Sequence, residues 1–230
     1  MSATDLPAII RTEGPWSPLL WDMDGTMLDS AEAITGRLRQ TLEHFKLDVP
    51  SDDELRLTIG PPAGEGLLRF TGPELGEEAR AYYRALSEEQ GFSNQELFPQ
   101  IAETLRALHA EGFPLGVATS RPQATAEALC EYYGIAPFFT HIIGGNEQRP
   151  DKASVIAENL TLFRKAGFDR NALMVGDRRY DTEGARANRV PTVLVRWGYA
   201  APIEFESAMT TVESTDDLTR LLTEMERSHD

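Results

Sequence analysis

Short apolar runs that end abruptly in polar residues or glycine recur along the chain. They occupy residues 18–21, 115–118, 173–175 and 192–195, with shorter candidates at Ile142 and Ile143 and at Thr211 and Val212. Continuous apolar runs of this length are typical of parallel strands that are buried on both faces. Segments with a helical period separate the later runs, at residues 101–111, 123–133 and 153–166, and a last helix is expected from about Asp217. This alternation predicts an α/β fold, a Rossmann-like parallel sheet flanked by helices.

Residues 31–98 interrupt the alternation, because they contain helical patterns and no convincing strand. The predicted helices cover residues 32–45, 53–57, 65–70 and 77–89, separated by GPPAG and TGP turns. An all-helical block directly after the first strand indicates an inserted cap domain. The predicted organisation is therefore an N-terminal extension (residues 1–17), an α/β core (18–30 and 99–230) and an all-helical cap (31–98).

The start of the first cap helix carries a local signal of its own. Asp29 and Glu32 have the spacing of an acidic variant of the capping box. This spacing predicts that Asp29 caps the helix just beyond the first strand and its loop.

Composition limits the classes of function. The chain has 22 basic and 37 acidic side chains, a net charge of −15, which disfavours non-specific binding to nucleic acid. No apolar run reaches the roughly 18 residues that a membrane span needs, so no span is expected. Acidic residues lie near the start, where a signal peptide is basic, so no signal peptide is expected and the predicted location is cytoplasmic. A single cysteine, Cys130, excludes an internal disulfide and a zinc cluster of cysteines. The oligomeric state stays open.

Two pairs of acidic residues follow predicted strands. Asp22 and Asp24 come directly after the first strand, where Gly25 allows the chain to turn sharply. Asp177 follows the strand at residues 173–175, and Asp181 lies in the same loop. Taken separately, such pairs could be ordinary acidic turns, stabilised at the second position by the dipole of the helix that follows.

Hydroxyl groups and a lysine lie between the two acid pairs. Thr119 and Ser120 follow the strand at residues 115–118, and Lys152 stands at the start of a later helix. If these strands are neighbours, their carboxyl ends gather the first acid pair, Thr119 and Asp177 in one crevice. Converging carboxylates repel one another, so a cation is expected. Oxygen ligands without clustered histidines favour Mg²⁺ over zinc or iron.

The segments DMDGTMLDS and VATSRP, Lys152 and the segment GDRRYD resemble the four ordered motifs of the haloacid dehalogenase superfamily. The resemblance extends from about Leu19 to the last helix. Within the superfamily, the sequence is similar to the phosphoglycolate phosphatase and nucleotidase-like branch, whose members carry a helical cap after the first strand. The resemblance implies an Mg²⁺-dependent phosphomonoester hydrolase that acts on a small phosphorylated metabolite through an aspartyl-phosphate intermediate.

The same resemblance implies catalytic and phosphate-binding roles. Asp22 is the nucleophile, and Asp24 protonates the leaving alcohol and then deprotonates the attacking water. Thr119 and Ser120 bind the phosphoryl oxygens, and Lys152 neutralises the charge shared by Asp22 and the phosphate.

Metal ligands are implied in the same way. Mg²⁺ is held by the carboxylate of Asp22, the backbone carbonyl of Asp24 and the carboxylate of Asp177, while Asp181 supports the water shell. Gly25 is a further expected phosphate-binding position.

Some features leave alternatives open. Many relatives place a proline after the motif lysine, whereas alanine follows Lys152 here, so Arg149 is an alternative for its role. Gly60 lies in a segment that looks like the cap loop facing the crevice in relatives, and equally like a plain turn between helices. Three arginines beside the motifs are either part of a positive rim or solvated loop residues: Arg121, Arg178 and Arg179.

Two other functions are weighed against the phosphatase. A phosphomutase could use the same acid pair, but the mutases that it resembles carry a histidine soon after the motif DGxxxD, and this chain has SAEAITGRL there. A non-catalytic binding module would not need both Asp22 and Asp24. Asp24 also argues against a haloacid dehalogenase, because carbon–halogen hydrolysis needs no proton for a leaving alcohol.

Overall fold

The computed structural model describes residues 16–61, 63–168 and 171–227. Of the predicted N-terminal extension, only Trp16, which is buried, and Ser17 lie within this part of the chain. The strands of the described chain are β1 (Leu19–Trp21), β2 (Leu28–Asp29), β3 (Glu96–Leu97), β4 (Leu115–Pro122), β5 (His141–Gly145), β6 (Leu173–Gly176), β7 (Thr192–Val195) and β8 (Thr210–Val212). Its α-helices are α1 (Ala31–His44), α2 (Asp52–Arg56), α3 (Ala63–Gln90), α4 (Ile101–Ala110), α5 (Gln123–Tyr132), α6 (Lys152–Lys165), α7 (Arg179–Ala187) and α8 (Thr215–Arg227).

Strand order places β1 at the centre of the main sheet. The order is β5-β4-β1-β6-β7-β8, and every neighbouring pair is parallel. Trp21, the last residue of β1, pairs with Val117 on one side and Val175 on the other. Because parallel strands end at the same edge, the loops after β1, β4 and β6 meet there. The predicted fold, a parallel α/β sheet flanked by helices, is confirmed.

Burial on both faces explains why the central strands are continuous apolar runs. Leu19 and Trp21 belong to one apolar cluster and Leu20 to another, as expected when successive side chains point to opposite faces. Helix α6 packs closely on β4, since a Cβ at Gly116 would lie 2.7 Å from the ring of Phe163. In the described residues, no helix has both the length and the apolar character that crossing a bilayer requires.

Helices α1, α2 and α3 build a separate apolar cluster in the predicted cap. Its buried members are Leu38, Leu42, Leu55 and Leu67. Helix α3 is interrupted at Gly72, whose backbone is not helical (φ 68°, ψ 174°), and Pro73 follows. The predicted TGP turn between two helices is therefore present.

Two expectations about the ends of residues 31–98 were wrong. Leu97 pairs with Leu28 in a two-stranded antiparallel ribbon, β2–β3, in a region expected to contain no strand. A strand of two residues has no periodicity to detect. The predicted capping box is also absent: α1 has Ser30 as its N-cap without a side-chain cap bond. The backbone N–H groups of Ser30 and Ala31 instead donate to the hydroxyl of Tyr199, at 2.8 and 3.0 Å.

Candidate active site

Asp22 lies at the carboxyl end of β1, where its carboxylate meets a buried lysine. Its backbone N–H still donates to Val175 of β6, at 2.9 Å. Lys152 Nζ donates to Asp22 Oδ1 at 2.5 Å and to the carbonyl of Ala118 at 3.0 Å. The same Nζ lies 2.9 Å from Asp181 Oδ1. One buried ammonium group therefore faces two carboxylates, and these contacts raise the pKa of Lys152 although burial opposes them.

The structure places Lys152, and not Arg149, beside Asp22. Arg149 points to the other side of its loop, where Nε donates to the carbonyl of Gly144 and Nη2 to Gln123 Oε1, both at 3.0 Å. Lys152 is the first residue of α6, after Asp151, whose side chain caps the helix. The motif lysine thus keeps its place without the proline that relatives put after it.

Asp177 and Asp181 complete a carboxylate cluster with Asp22. One oxygen from each of the three carboxylates lies within 4.8 Å of the other two, and all three residues are buried. Asp181 Oδ2 accepts from the backbone N–H groups of Asp177 and Arg178, both at 3.0 Å. Asp177 Oδ2 accepts from the backbone N–H of Tyr199 at 2.7 Å. The other oxygen of Asp177, Oδ1, is buried and has no hydrogen-bond donor among the described residues.

Electrostatics in this cluster call for a cation. Burial and the charge of Asp181 raise the pKa of Asp22 to about 7, and they raise that of Asp177 well above its ordinary value. A bound divalent ion would remove this penalty by neutralising the carboxylates. The all-oxygen donor set and the unpartnered Asp177 Oδ1 fit Mg²⁺.

Asp24 lies apart from this cluster and is held by Arg121. Arg121 donates from Nε to Asp24 Oδ2 at 2.8 Å and from Nη2 to Oδ1 at 2.6 Å. Ser30 Oγ donates to Asp24 Oδ1 at 2.5 Å. Burial raises the pKa of Asp24, but Arg121 and Ser30 outweigh it and hold that pKa below its ordinary value. The side chain of Arg121 is 11% exposed, so it is not the solvated loop residue that was one of its two interpretations.

Three of the remaining predicted positions line a cavity of about 820 Å³. Thr119 and Ser120 line it, and Thr119 Oγ1 also accepts from the backbone N–H of Arg121 at 3.2 Å. Asp22 and Asp24 line the same cavity, as does Gly60 from the cap.

Residues 19–195 match the family model described as haloacid dehalogenase-like hydrolase. The chain belongs to this family. The predicted superfamily, and with it the enzyme class of hydrolase, is therefore confirmed.

Relatives of this hydrolase carry two kinds of name. The tyrosine-protein kinase PtkA of Mycobacterium tuberculosis is 35% identical over 196 residues, which cover 84% of this chain and 67% of PtkA. A phosphoglycolate phosphatase of Yersinia pseudotuberculosis is 32% identical over 189 residues, with 78% of this chain and 80% of the relative covered. The crystal structure of a predicted phosphatase from Clostridium acetobutylicum has a TM-score of 0.83 at 29% identity, over 92% of this chain and 100% of that one.

Several residues of this hydrolase's site were not singled out from the sequence. Arg37, Arg80 and Arg84 of the cap line the cavity, and Tyr199 contacts both Asp177 and the start of α1. No motif marks the three cap arginines. Tyr199 follows β7, another strand of the sheet, and its position after a buried strand was the one signal in the sequence.

Gly25 packs against the carboxylate cluster in this structure. Its φ of +78° disfavours other residues, and a Cβ there would lie 2.1 Å from Asp177 Oδ2. We expect Gly25→Ala to lower the free energy of unfolding by more than the roughly 1–2 kcal/mol of the left-handed backbone alone, and to weaken catalysis. Gly134→Ala is a matched control, because Gly134 has φ +68° and open space around it. Urea denaturation and phosphatase assays of both variants check this; equal behaviour of the two would contradict it.

Proposed function

We propose that this protein is a magnesium-dependent phosphomonoester hydrolase that acts on a small phosphorylated metabolite through an aspartyl-phosphate on Asp22. The observation that carries this proposal is the position of Asp22. Its carboxylate belongs to the cluster with Asp177 and Asp181, contacts Lys152 and lines the cavity that the cap and core share. A nucleophile placed there meets the phosphoryl group where positive charge is concentrated.

The chain's own residues would hold the metal. Asp22, Asp177 and the backbone carbonyl of Asp24 are the proposed ligands, with Asp181 supporting the bound water. When bound, Mg²⁺ supplies positive charge that offsets both the carboxylates and the phosphoryl oxygens. Lys152 adds a fixed positive charge at Asp22 Oδ1, the atom to which its ammonium group donates.

The proposed reaction has two steps on Asp22. In the first, an Asp22 carboxylate oxygen bonds to phosphorus, the bond from phosphorus to the alcohol oxygen breaks, and Asp24 gives a proton to the alcohol. In the second, Asp24 takes a proton from water, the water oxygen bonds to phosphorus, and Asp22 leaves as a carboxylate. Arg121 and Ser30 favour the carboxylate form of Asp24, which the second step requires. The first step requires protonated Asp24, so one of its oxygens must give up its bond from Arg121 and take up a proton when the substrate binds.

Cavity size and charge guide the proposed substrate class. A volume of about 820 Å³ suits a small molecule. Among the described residues, four arginines line the cavity: Arg37, Arg80, Arg84 and Arg121. Arg121 binds Asp24, Arg37 binds Gln90 and the carbonyl of Gly91, and Arg80 binds Glu77. Together the four arginines place positive charge at the cavity wall, which favours a phosphorylated acid such as phosphoglycolate, with nucleoside monophosphates as the second candidates. These features support a small metabolite as the substrate. The name of the PtkA relatives suggests a tyrosine of a protein as the substrate of those proteins.

A substrate panel tests the proposed function. We expect inorganic phosphate release, with Mg²⁺ present, from at least one of phosphoglycolate, nucleoside monophosphates and sugar phosphates, and faster than from a phosphotyrosine peptide. If no compound of the panel released phosphate, the result would contradict the proposal. ATP with a tyrosine-containing protein forms a further arm, in which phosphate transfer without hydrolysis would favour the activity named for PtkA instead. Conversion of one sugar phosphate isomer to another would favour a mutase.

Metal removal has its own expected result. Excess EDTA should reduce phosphate release to background, because the raised pKa values of metal-free Asp22 and Asp177 favour protonation of the nucleophile and no cation then offsets the charge of the phosphate. Added Mg²⁺ should restore the activity. The measurement is the initial rate at fixed substrate across a Mg²⁺ titration. Full activity in excess chelator would exclude the metal from the mechanism.

A further inference from the structure

Arg178 follows Asp177 of the carboxylate cluster, and its side chain extends from the core to the cap. It is 3% exposed. Its Nη1 donates to the carbonyl of Ile59, and its Nη2 donates to the carbonyl of Leu57 at 3.4 Å. Both carbonyls belong to residues 57–61, between α2 and α3, which we call the cap loop. The backbone N–H of Arg178 donates to Asp181 Oδ2 at 3.0 Å, so one residue contacts both the carboxylate cluster and the cap loop.

Glu204 neutralises the buried charge of Arg178. Its carboxylate oxygens lie 3.0 and 3.3 Å from Arg178 Nε. Glu204 also accepts from the backbone N–H groups of Arg179, at 2.7 Å, and Ala201, at 3.2 Å. The planar guanidinium thus binds a carboxylate through one edge and backbone carbonyls through its other nitrogens, a pattern that a lysine cannot reproduce.

A second contact brings the cap loop against the core. A Cβ at Gly60, where φ is +123°, would lie 2.9 Å from the ring of Tyr180, so only glycine allows this approach. The same ring lies 5.5 Å from the guanidinium of Arg178. Four residues of the cap loop, Thr58 to Pro61, line the cavity with Asp22. The position of this loop therefore sets part of the cavity wall.

We propose that Arg178 is a positioning residue that docks the cap loop onto the core and so shapes the substrate-binding wall of the active site. This inference rests on the proposed phosphatase function. Arg178 acts through the carbonyls of Leu57 and Ile59 and does not touch the phosphoryl group. Its loss frees the loop, so substrates that contact the cap lose binding, while the residues that perform the two chemical steps stay in place.

Arg178→Met tests the proposal, with Arg179→Met as the matched control. Arg179 is the exposed neighbour, and its side chain donates to the hydroxyl of Tyr180. Among the described residues it makes no hydrogen bond to the cap loop. For the best metabolite of the panel, we expect Arg178→Met to raise KM about tenfold or more and to change kcat less. For acetyl phosphate, which offers little for the cap to contact, we expect a smaller change. Arg179→Met should match the wild type on both substrates.

Hydrogen exchange of residues 57–61 reports on the loop directly and needs no substrate. We expect faster exchange there in Arg178→Met than in wild type or Arg179→Met. If wild type releases no phosphate, the proposed function fails while this exchange result still tests the docking role. Unchanged KM and unchanged exchange in Arg178→Met would overturn the inference. So would a shift in the Mg²⁺ dependence with unchanged loop exchange, because Arg178 would then act on the metal cluster.

Two further variants keep the test decisive if Arg178→Met does not fold. Arg178→Lys retains the charge but not the fork of donors, and we expect it to raise both KM and loop exchange. Glu204→Gln keeps the shape of the partner and removes its charge, and we expect a smaller effect in the same direction. Wild-type KM and loop exchange in Arg178→Lys would show that charge alone suffices and would overturn the role of the bonds to the cap loop.

Discussion

We expect the replacement of Asp22 with asparagine to abolish phosphate release from every substrate while the protein still folds. An amide nitrogen or oxygen cannot form the phosphoenzyme, so we expect activity no higher than that of the chelated wild type. Asparagine keeps the shape of the side chain, and Lys152 retains the carbonyl of Ala118 and the carboxylate of Asp181. Steady-state phosphate release and intact-protein mass after substrate addition check this result. Wild-type rates in the variant would end the assignment of Asp22 as the nucleophile.

A pH series separates this loss of chemistry from a loss of fold. Burial and the charge of Asp181 raise the pKa of Asp22 from 3.8 to about 7 in the metal-free protein. A raised carboxyl pKa means that the folded state binds the proton more tightly, so the metal-free wild type loses stability as the pH rises from about 4 through 7. The asparagine side chain of the variant does not titrate. We therefore expect the stability of Asp22→Asn, relative to wild type in EDTA, to increase over this range in urea denaturation.

Replacing Asp24 with asparagine slows turnover by about 10² to 10⁴-fold, the usual contribution of a positioned acid or base. The size of the loss should depend on the leaving group. An aryl phosphate needs little help in the first step, so p-nitrophenyl phosphate should give a burst of about one equivalent of nitrophenol and then stall as the aspartyl-phosphate. An alkyl phosphate should be slow in both steps. Stopped-flow absorbance and intact-protein mass report the two steps separately.

Arg121→Met extends this test to the residue that holds Asp24. Since Arg121 favours the carboxylate form of Asp24, its loss should slow hydrolysis of the aspartyl-phosphate, a step that alkyl and aryl phosphates share, and so lower the rate on both. The Asp22→Asn, Asp24→Asn double variant is the control and should form no phosphorylated protein. A first step that is equally fast on both kinds of substrate in Asp24→Asn would argue against proton transfer by Asp24.

The sheet was predictable because strands that are buried on both faces consist mainly of apolar residues. Strands β1, β6 and β7 are wholly buried, and each contains an uninterrupted apolar run that ends at a polar residue or glycine. The break in α3 was predictable from Gly72 and Pro73. The ribbon of β2 and β3 was not, because two residues per strand carry no periodicity.

The site was predictable as far as strand ends determine it. Asp22, Asp177 and Lys152 meet because the loops after neighbouring strands and the start of α6 share one edge of the sheet. Contacts that depend on the reach of a long side chain left no pattern. Arg121 donates to Asp24, which is 97 residues away in the sequence, and Arg178 donates to the carbonyl of Ile59, which is 119 residues away.

The ribbon of β2 and β3 forms the joint through which both chain crossings between core and cap pass. Leu28 pairs with Leu97, and Phe98 N–H donates to the carbonyl of Met27 at 3.0 Å, so the outgoing and returning strands are fastened side by side. Because the two crossings are hydrogen-bonded to each other, they cannot move independently. We expect the cap to rotate relative to the core about this single hinge, and to return to the same alignment after each product leaves.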